Sequence, residues 1–251
     1  MAETDAYDEA LKSGQYQKPG GLLGKYDNVR RFWEDEQLGL YLRPYLERLV
    51  TRKKECGEGL RVFDLGCGSG DGFEFITSIN GSNALISEYD TKVVKPNTVE
   101  SYLGIDINEG LLEQARDTYG NKQHMRFLYS DFNDFDFGAE EPYDLYLANY
   151  GVLSHNADEQ TVELLANIAA HGRDGALVII DWLGRFSYEW QTLWTRDFEN
   201  NQWMDYAISY IYPGEETHQE EITFFPLRII GRHEVEQICR RAKKKAGGTV
   251  T

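Results

Sequence analysis

The sequence predicts an α/β fold, doubly wound, with a mostly parallel sheet. Three observations carry this prediction. Short apolar runs that read as buried strands alternate with helical patterns from Leu60 to Asp181. The first of these strands, Leu60–Leu65, empties into the glycine-rich turn Gly66-Cys67-Gly68-Ser69-Gly70, and a helical pattern follows at once. The chain has 251 residues and the composition of a globular protein, enough for one sizeable α/β domain with its own core.

The elements follow in order. Residues 1–21 have little apolar periodicity and contain Lys18-Pro19-Gly20-Gly21, so they read as a flexible arm. The single domain spans 22–251. Its first part, 22–58, carries apolar residues at helical spacing, including Tyr26, Val29, Phe32, Trp33, Leu42, Leu46 and Leu49. Pro44 is expected to split this helical lid into two helices. The core, 60–181, begins with the strand and turn already named and a helix carrying Phe73, Phe75, Ile76 and Ile79. Asn80 to Glu100 is polar and reads as an insertion. Strands are expected at Tyr102–Asp106, Met125–Tyr129, Tyr143–Asn149 and Ala176–Asp181, with helices at Leu111–Tyr119 and Asp158–Ala170. Residues 182–231 form an aromatic-rich insertion after the fifth strand. Met204–Tyr212 and Glu221–Ile229 read as two strands around Pro213-Gly214, and Arg232–Lys245 as a last helix. A sheet ending at its fifth strand leaves an open edge. The chain is therefore expected either to continue beyond Thr251 or to cover that edge with the strands between Met204 and Ile229.

Charge and cysteine content narrow the function. The formal net charge is −16, which disfavours nucleic acid and anionic membranes as partners. No run is long and apolar enough to cross a bilayer, and the polar start Met1–Gly14 is not a secretory signal. Cys56, Cys67 and Cys239 lack the spacing of a metal site or a disulfide framework. The cytoplasm is the expected compartment, and no metal is expected. Nothing in the pattern sets the oligomeric state.

The glycine turn lets a ligand approach the backbone closely at a helix start. A dinucleotide fingerprint would place a third glycine where Asp71 stands, and an acidic Asp64 precedes the turn. A carboxylate there repels pyrophosphate and suits a ligand with a cationic amine, which describes S-adenosylmethionine. Asp106 ends the second strand, where a carboxylate can accept from both ribose hydroxyls. Asp131 follows the third strand, placed to accept from an adenine amine, with Phe132 beside it as an amide or an apolar wall.

Taken in order, Val62-Phe63-Asp64-Leu65-Gly66-Cys67-Gly68-Ser69-Gly70, Gly104-Ile105-Asp106, Ser130-Asp131-Phe132 and Tyr143 to Tyr150 resemble the class I S-adenosylmethionine-dependent methyltransferases, over about Leu60 to Asp181. The resemblance implies a Rossmann-like fold with S-adenosylmethionine as cofactor. It implies that Asp64, Gly66, Cys67 and Gly68 hold the methionine part, Asp106 and Ile107 the ribose, and Asp131 and Phe132 the adenine. The Asn149 carbonyl, next to Tyr150, would face the methionine amine. Ahead of the sheet, Tyr26, Trp33 and Arg43 resemble the residues with which methyltransferases of the glycine N-methyltransferase kind close over the cofactor; packing is their alternative role. The family usually completes its sheet with a final hairpin; Gly248-Thr249-Val250-Thr251 reads as the start of such a strand, in a chain expected to be truncated there.

The implied reaction is methyl transfer to an oxygen or nitrogen of a small metabolite. Asn149-Tyr150-Gly151-Val152 replaces the Asn/Asp-Pro-Pro-Tyr run that would suit an amide or base amine. Trp182, Arg185 and Tyr188 are candidates to line the substrate pocket, and His155 is the candidate general base. A non-catalytic module that binds S-adenosylmethionine or S-adenosylhomocysteine is the alternative reading.

Overall fold

A computed structural model describes residues 7–8, 11, 29–82, 92–187, 202–207 and 224–248. Helices α1 (Val29–Glu55), α2 (Asp71–Ser78), α3 (Glu109–Tyr119), α4 (Asp158–His171) and α5 (Arg232–Lys245) accompany strands β1 (Leu60–Leu65), β2 (Val99–Asp106), β3 (Met125–Tyr129), β4 (Leu145–Ala148) and β5 (Leu177–Ile180). The five strands form one parallel sheet in the order β3-β2-β1-β4-β5. The chain therefore reverses its direction of winding between β1 and β4, the place beyond the carboxyl ends of the strands where open α/β sheets bind their ligands.

Both faces of the sheet are covered, which is why β1 is apolar on consecutive positions. Val62 and Tyr102 pack with Leu42, Leu46 and Leu49 of α1, Phe73 and Ile76 of α2, and Leu112 and Ala115 of α3. Phe63, Leu65 and Tyr146 pack on the other face with Val162, Leu165 and Ile168 of α4 and Ile238 of α5. At the amino ends of the strands, the buried Lys53 ammonium donates to Asp144 Oδ1 at 3.1 Å, and the Arg61 N–H donates to Asp144 Oδ2 at 2.9 Å.

Three expectations are corrected. Pro44 does not divide the first helix; α1 runs unbroken through it. Proline removes one N–H bond, the one that would go to the carbonyl of Leu40. Both Leu40 and Pro44 are exposed, so water can satisfy that carbonyl, while Leu42, Leu46 and Leu49 hold the flanking turns to the core. Strand β2 begins at Val99 rather than Tyr102, so the inserted segment ends in the short 3-10 turn Pro96–Thr98. Among the described residues, the strands after β5 do not pair with its edge. β6 (Leu183–Gly184), β7 (Trp203–Ala207) and β8 (Phe224–Ile230) make a separate three-stranded sheet, with β7 and β8 antiparallel as expected. The Pro213-Gly214 turn lies outside the described residues.

A buried cation ties that small sheet to the main domain. Arg228 of β8 is 1% exposed. It donates to Asp158 Oδ1 at 3.0 Å and to Glu234 Oε1 at 2.9 Å. These carboxylates stand in the first turns of α4 and α5, where the helix dipole favours negative charge. We expect Arg228→Met to lower the unfolding free energy by roughly 1–3 kcal/mol, because Asp158 loses its cation while Glu234 keeps Arg185. Urea denaturation measures this; a loss below about 1 kcal/mol would place the network among inconsequential surface pairs.

Three tyrosines predict the alkaline limit. Burial pushes the Tyr146 hydroxyl up to about 12. Burial, together with the neighbouring Asp64 charge, also raises Tyr102, and burial with Glu140 raises Tyr143. Unfolded tyrosines ionise near pH ~10. The stability these three contribute is thus complete below pH ~10 and is lost as pH rises through the folded values. The urea midpoint should fall above pH ~10, with tyrosinate absorbance appearing as the protein unfolds; a level midpoint to pH ~12 contradicts this.

Candidate active site

The turn after β1 brings three glycines into positive φ: 65° at Gly66, 52° at Gly68 and 89° at Gly70. A Cβ on Gly66 would lie 2.7 Å from Val152 Cγ1, so only glycine allows the turn to touch the loop after β4. The Cys67 thiol is buried, and burial raises it well above its usual range. Its sulfur fills the space that a side chain at Gly104 would take, so it is a packing group beneath the turn.

Asp106 is the best-organised acidic group of the site. Its Oδ2 accepts the Gly68 N–H at 2.8 Å, and its Oδ1 accepts the Asn108 N–H at 2.8 Å. A carboxylate has about four acceptor positions, so these two bonds orient the group and leave capacity for a ligand diol. Ile107 beside it is 36% exposed. Asn108 caps α3 through the Leu111 N–H at 2.9 Å. Asp131 is exposed and accepts the Asn133 N–H at 2.8 Å, while Phe132 packs against the α4-side core.

Asp64 lies deeper than expected. It is 3% exposed and accepts the Tyr102 hydroxyl. A Cβ at Gly72 would meet its Oδ2 at 2.3 Å. Its carboxylate thus sits beneath the turn and the start of α2. Asp71, also 3% exposed, takes the first position of α2 and accepts the Ser69 hydroxyl at 3.1 Å. A carboxylate already holds the anion-favouring helix end, which disfavours a pyrophosphate there.

Beyond β4, Asn149 is 4% exposed, and neither its Oδ1 nor its Nδ2 has a hydrogen-bond partner. Such a buried orphan carboxamide costs about 1–3 kcal/mol per unsatisfied group and leaves a donor and an acceptor open to a ligand or water. Tyr150 has φ 67°, a left-handed conformation that is costly for a residue with a Cβ. Its hydroxyl donates to Asp35 Oδ1 of α1 at 3.2 Å. The 3-10 turn Val152–His155 follows. His155 ends it, with Nε2 3.3 Å from the Tyr7 hydroxyl. Asn156 exchanges two side-chain hydrogen bonds with Asn133, at 3.0 and 2.9 Å, tying this loop to the one after β3.

The structure thus brings Gly66, Cys67, Gly68, Asp106, Ile107, Asp131, Phe132, Asn149, Tyr150 and His155 to the carboxyl ends of adjacent strands. It does not bring Arg43 there. On the same stripe of α1, Gly39 faces Ile79 and Glu47 binds Ser82, which puts Arg43 at the far end of α2 from the glycine turn. Its Nε is buried without a hydrogen bond. Trp182 packs partly buried against the α4-side core, and the Arg185 guanidinium donates to Glu234 Oε1 at 2.6 Å. Trp33 lies near the start of α1; Tyr26 and Tyr188 lie outside the described residues.

Two contributions were not foreseen. Part of the presumed free arm touches the site: Asp8 Oδ1 accepts the Asn108 Nδ2 donor at 2.9 Å, and Tyr7 reaches His155. Asp181, after β5, accepts the N–H groups of Tyr150 and Gly151 at 2.8 and 2.5 Å. The sequence signal for Asp181 was present, since it is an aspartate at a strand's carboxyl end, as Asp106 is. Nothing comparable marked Tyr7 or Asp8. Among the described residues, no group of His, Cys, Asp and Glu is arranged to hold a metal ion.

Comparison with known proteins agrees with this geometry. Residues 81–175 match the family described as a methyltransferase domain. No curated protein matches the chain. Similar solved structures include an S-adenosylmethionine-dependent methyltransferase from Methanosarcina mazei, with TM-score 0.50 and 14% identity over 74% of this chain and 80% of that one. A Clostridium acetobutylicum S-adenosylmethionine-dependent methyltransferase gives 0.49 and 13% over 80% of each chain. Magnesium protoporphyrin IX methyltransferase from Synechocystis PCC 6803, with bound S-adenosylhomocysteine, gives 0.48 and 13% over 95% of this chain and 84% of that one. At 14% identity the Methanosarcina mazei structure speaks to fold alone. Residues 81–175 thus carry the match to a methyltransferase domain, within a fold shared with the S-adenosylmethionine-dependent methyltransferase of Methanosarcina mazei.

Proposed function

We propose that this enzyme methylates an oxygen or nitrogen atom of a small metabolite, with the cofactor held along the carboxyl ends of β1, β2 and β4. The observation that carries the cofactor placement is Asp106, whose two oxygens are oriented by the Gly68 and Asn108 amides. The residues fit S-adenosylmethionine. Asp106 would receive the ribose hydroxyls, Asp131 the adenine amine, and the Asn149 carbonyl the ammonium group. The orphan carboxamide of Asn149 gives the amino-acid end a donor and an acceptor. Carboxylates at 64, 71, 106, 131 and 181 make the surroundings suit a cationic ligand without phosphate.

When bound, the cofactor supplies an already activated methyl group on a sulfonium. The protein's work is then alignment, exclusion of water and, for a protonated acceptor, removal of a proton. His155, whose Nε2 lies 3.3 Å from the Tyr7 hydroxyl, is the proposed base for that proton. Trp182 and Tyr188 are the proposed lining of the acceptor pocket, with Arg185 supporting it through Glu234. The net charge of −16 favours a small acceptor over nucleic acid. The cytoplasm remains the proposed site of action.

Isothermal titration with S-adenosylhomocysteine tests the cofactor placement. Asp106→Ala should weaken binding by ~1.5–3 kcal/mol, the scale of charge-assisted hydrogen bonds. Unchanged affinity removes Asp106 from the ribose site. The acceptor itself is found by incubating metabolite extracts with labelled S-adenosylmethionine and identifying the labelled product. With that acceptor, His155→Ala should lower kcat by about 10²–10⁴-fold at near-native cofactor affinity. The deficit should shrink as pH rises and the acceptor ionises unaided. A kcat within a few-fold of wild type, about the scatter expected of a bystander, makes His155 structural.

A further inference from the structure

The peptide between Asn149 and Tyr150 is one planar unit, so its carbonyl and its N–H point in opposite directions. The Tyr150 N–H donates to Asp181 Oδ2 at 2.8 Å. Asp181 lies on the β5 side of β4, and its own N–H donates to the Ala148 carbonyl at 3.2 Å. On its other side β4 is flanked by β1. The Asn149 carbonyl is therefore turned away from β5, towards the end of β1 and the Gly66–Gly70 turn.

This orientation is not one the backbone keeps unaided. Tyr150 at φ 67° and Gly151 at φ 79° are two successive left-handed residues. Successive N–H groups in such a turn converge on one side and form a concavity for an anion. Asp181 fills it, with the Gly151 N–H donating to Oδ1 at 2.5 Å. Glycine adopts this conformation freely, whereas tyrosine holds it only where its surroundings impose it. The turn so held also carries the buried, unpartnered carboxamide of Asn149.

We propose that Asp181 is a positioning residue for the methyl donor: by clamping the Tyr150 and Gly151 N–H groups, it aims the Asn149 carbonyl at the donor's ammonium group. The role rests on the cofactor placement proposed above. It is separate from any contact with the reacting atoms, since it is exerted through the peptide that Asp181 holds.

A double-mutant cycle read by S-adenosylhomocysteine titration tests it. Asp181→Asn keeps the size of the side chain but turns one accepting oxygen into a donor facing an N–H. In the otherwise native chain it should weaken binding by about tenfold or more while the protein stays folded by circular dichroism. In a Tyr150→Gly background, where glycine keeps the turn without a clamp, the same change should cost less than about threefold. Amide exchange at positions 150 and 151 should accelerate in Asp181→Asn and not in Asp181→Glu, which retains both oxygens. If Asp181→Asn does not fold, Asp181→Ser carries the same cycle. Equal losses in both backgrounds, or no loss in either, overturn the proposal. Wild-type protein that binds no S-adenosylhomocysteine overturns the cofactor placement as well, so the two failures are told apart.

Discussion

A parallel sheet leaves its carboxyl end with backbone N–H groups that no neighbouring strand can pair, and the site of this protein is built on how they are satisfied. Two aspartates do most of it. Asp106 holds the amides of Gly68 and Asn108, joining the loop after β1 to the loop after β2. Asp181 holds the amides of Tyr150 and Gly151, joining the loop after β4 to the chain beyond β5. In each case one carboxylate spans two loops, so neither moves without the other. The Asn133–Asn156 pair closes the remaining gap between the β3 and β4 loops.

The rest of the molecule supports that edge from below and from one side. The opposite end of the sheet is pinned by the buried Lys53–Asp144 pair, which also engages the backbone at Arg61. The small sheet after β5 is pinned by Arg228 to the first turns of α4 and α5. Such buried ion networks add little net stability over apolar packing, but breaking one partner is expensive. Their consequence here is positional. Arg185 shares Glu234 with Arg228, so the segment that leaves β5 is set relative to α5. The Leu183 N–H, donated to the buried Ser154 hydroxyl at 2.8 Å, sets it relative to the β4 loop.

The electrostatics of the site follow from the same residues. The aspartates that satisfy the loop amides also give the crevice a negative field, and a sulfonium with an ammonium group gains from that field where a phosphate would lose. The acidity of the cofactor site is thus a by-product of how the loops are held. In the proposed function the methyl acceptor is met by different groups, around His155 and the segment after β5.

What the sequence determined by itself was everything that rests on neighbours along the chain. The strands Leu60–Leu65 and Met125–Tyr129 and the helix Arg232–Lys245 were legible to their end residues, because apolar spacing and flanking glycines are local signals. The places of the glycine turn, Asp106 and Asp131 at strand ends were legible because each follows directly on an apolar run. The tertiary structure alone decided what depends on pairs distant in sequence. It kept α1 continuous through Pro44, since the stripe buried against the sheet outweighs one lost hydrogen bond at an exposed turn. It turned Asp64 down onto Tyr102, which lies 38 residues away in sequence. It carried Arg43 to the far end of α2, between the contacts of Gly39 with Ile79 and of Glu47 with Ser82. It also brought Asp181 to Tyr150 and Tyr7 to His155. No periodicity announces such contacts, because hydrogen bonds between loops are set by where the sheet places their ends.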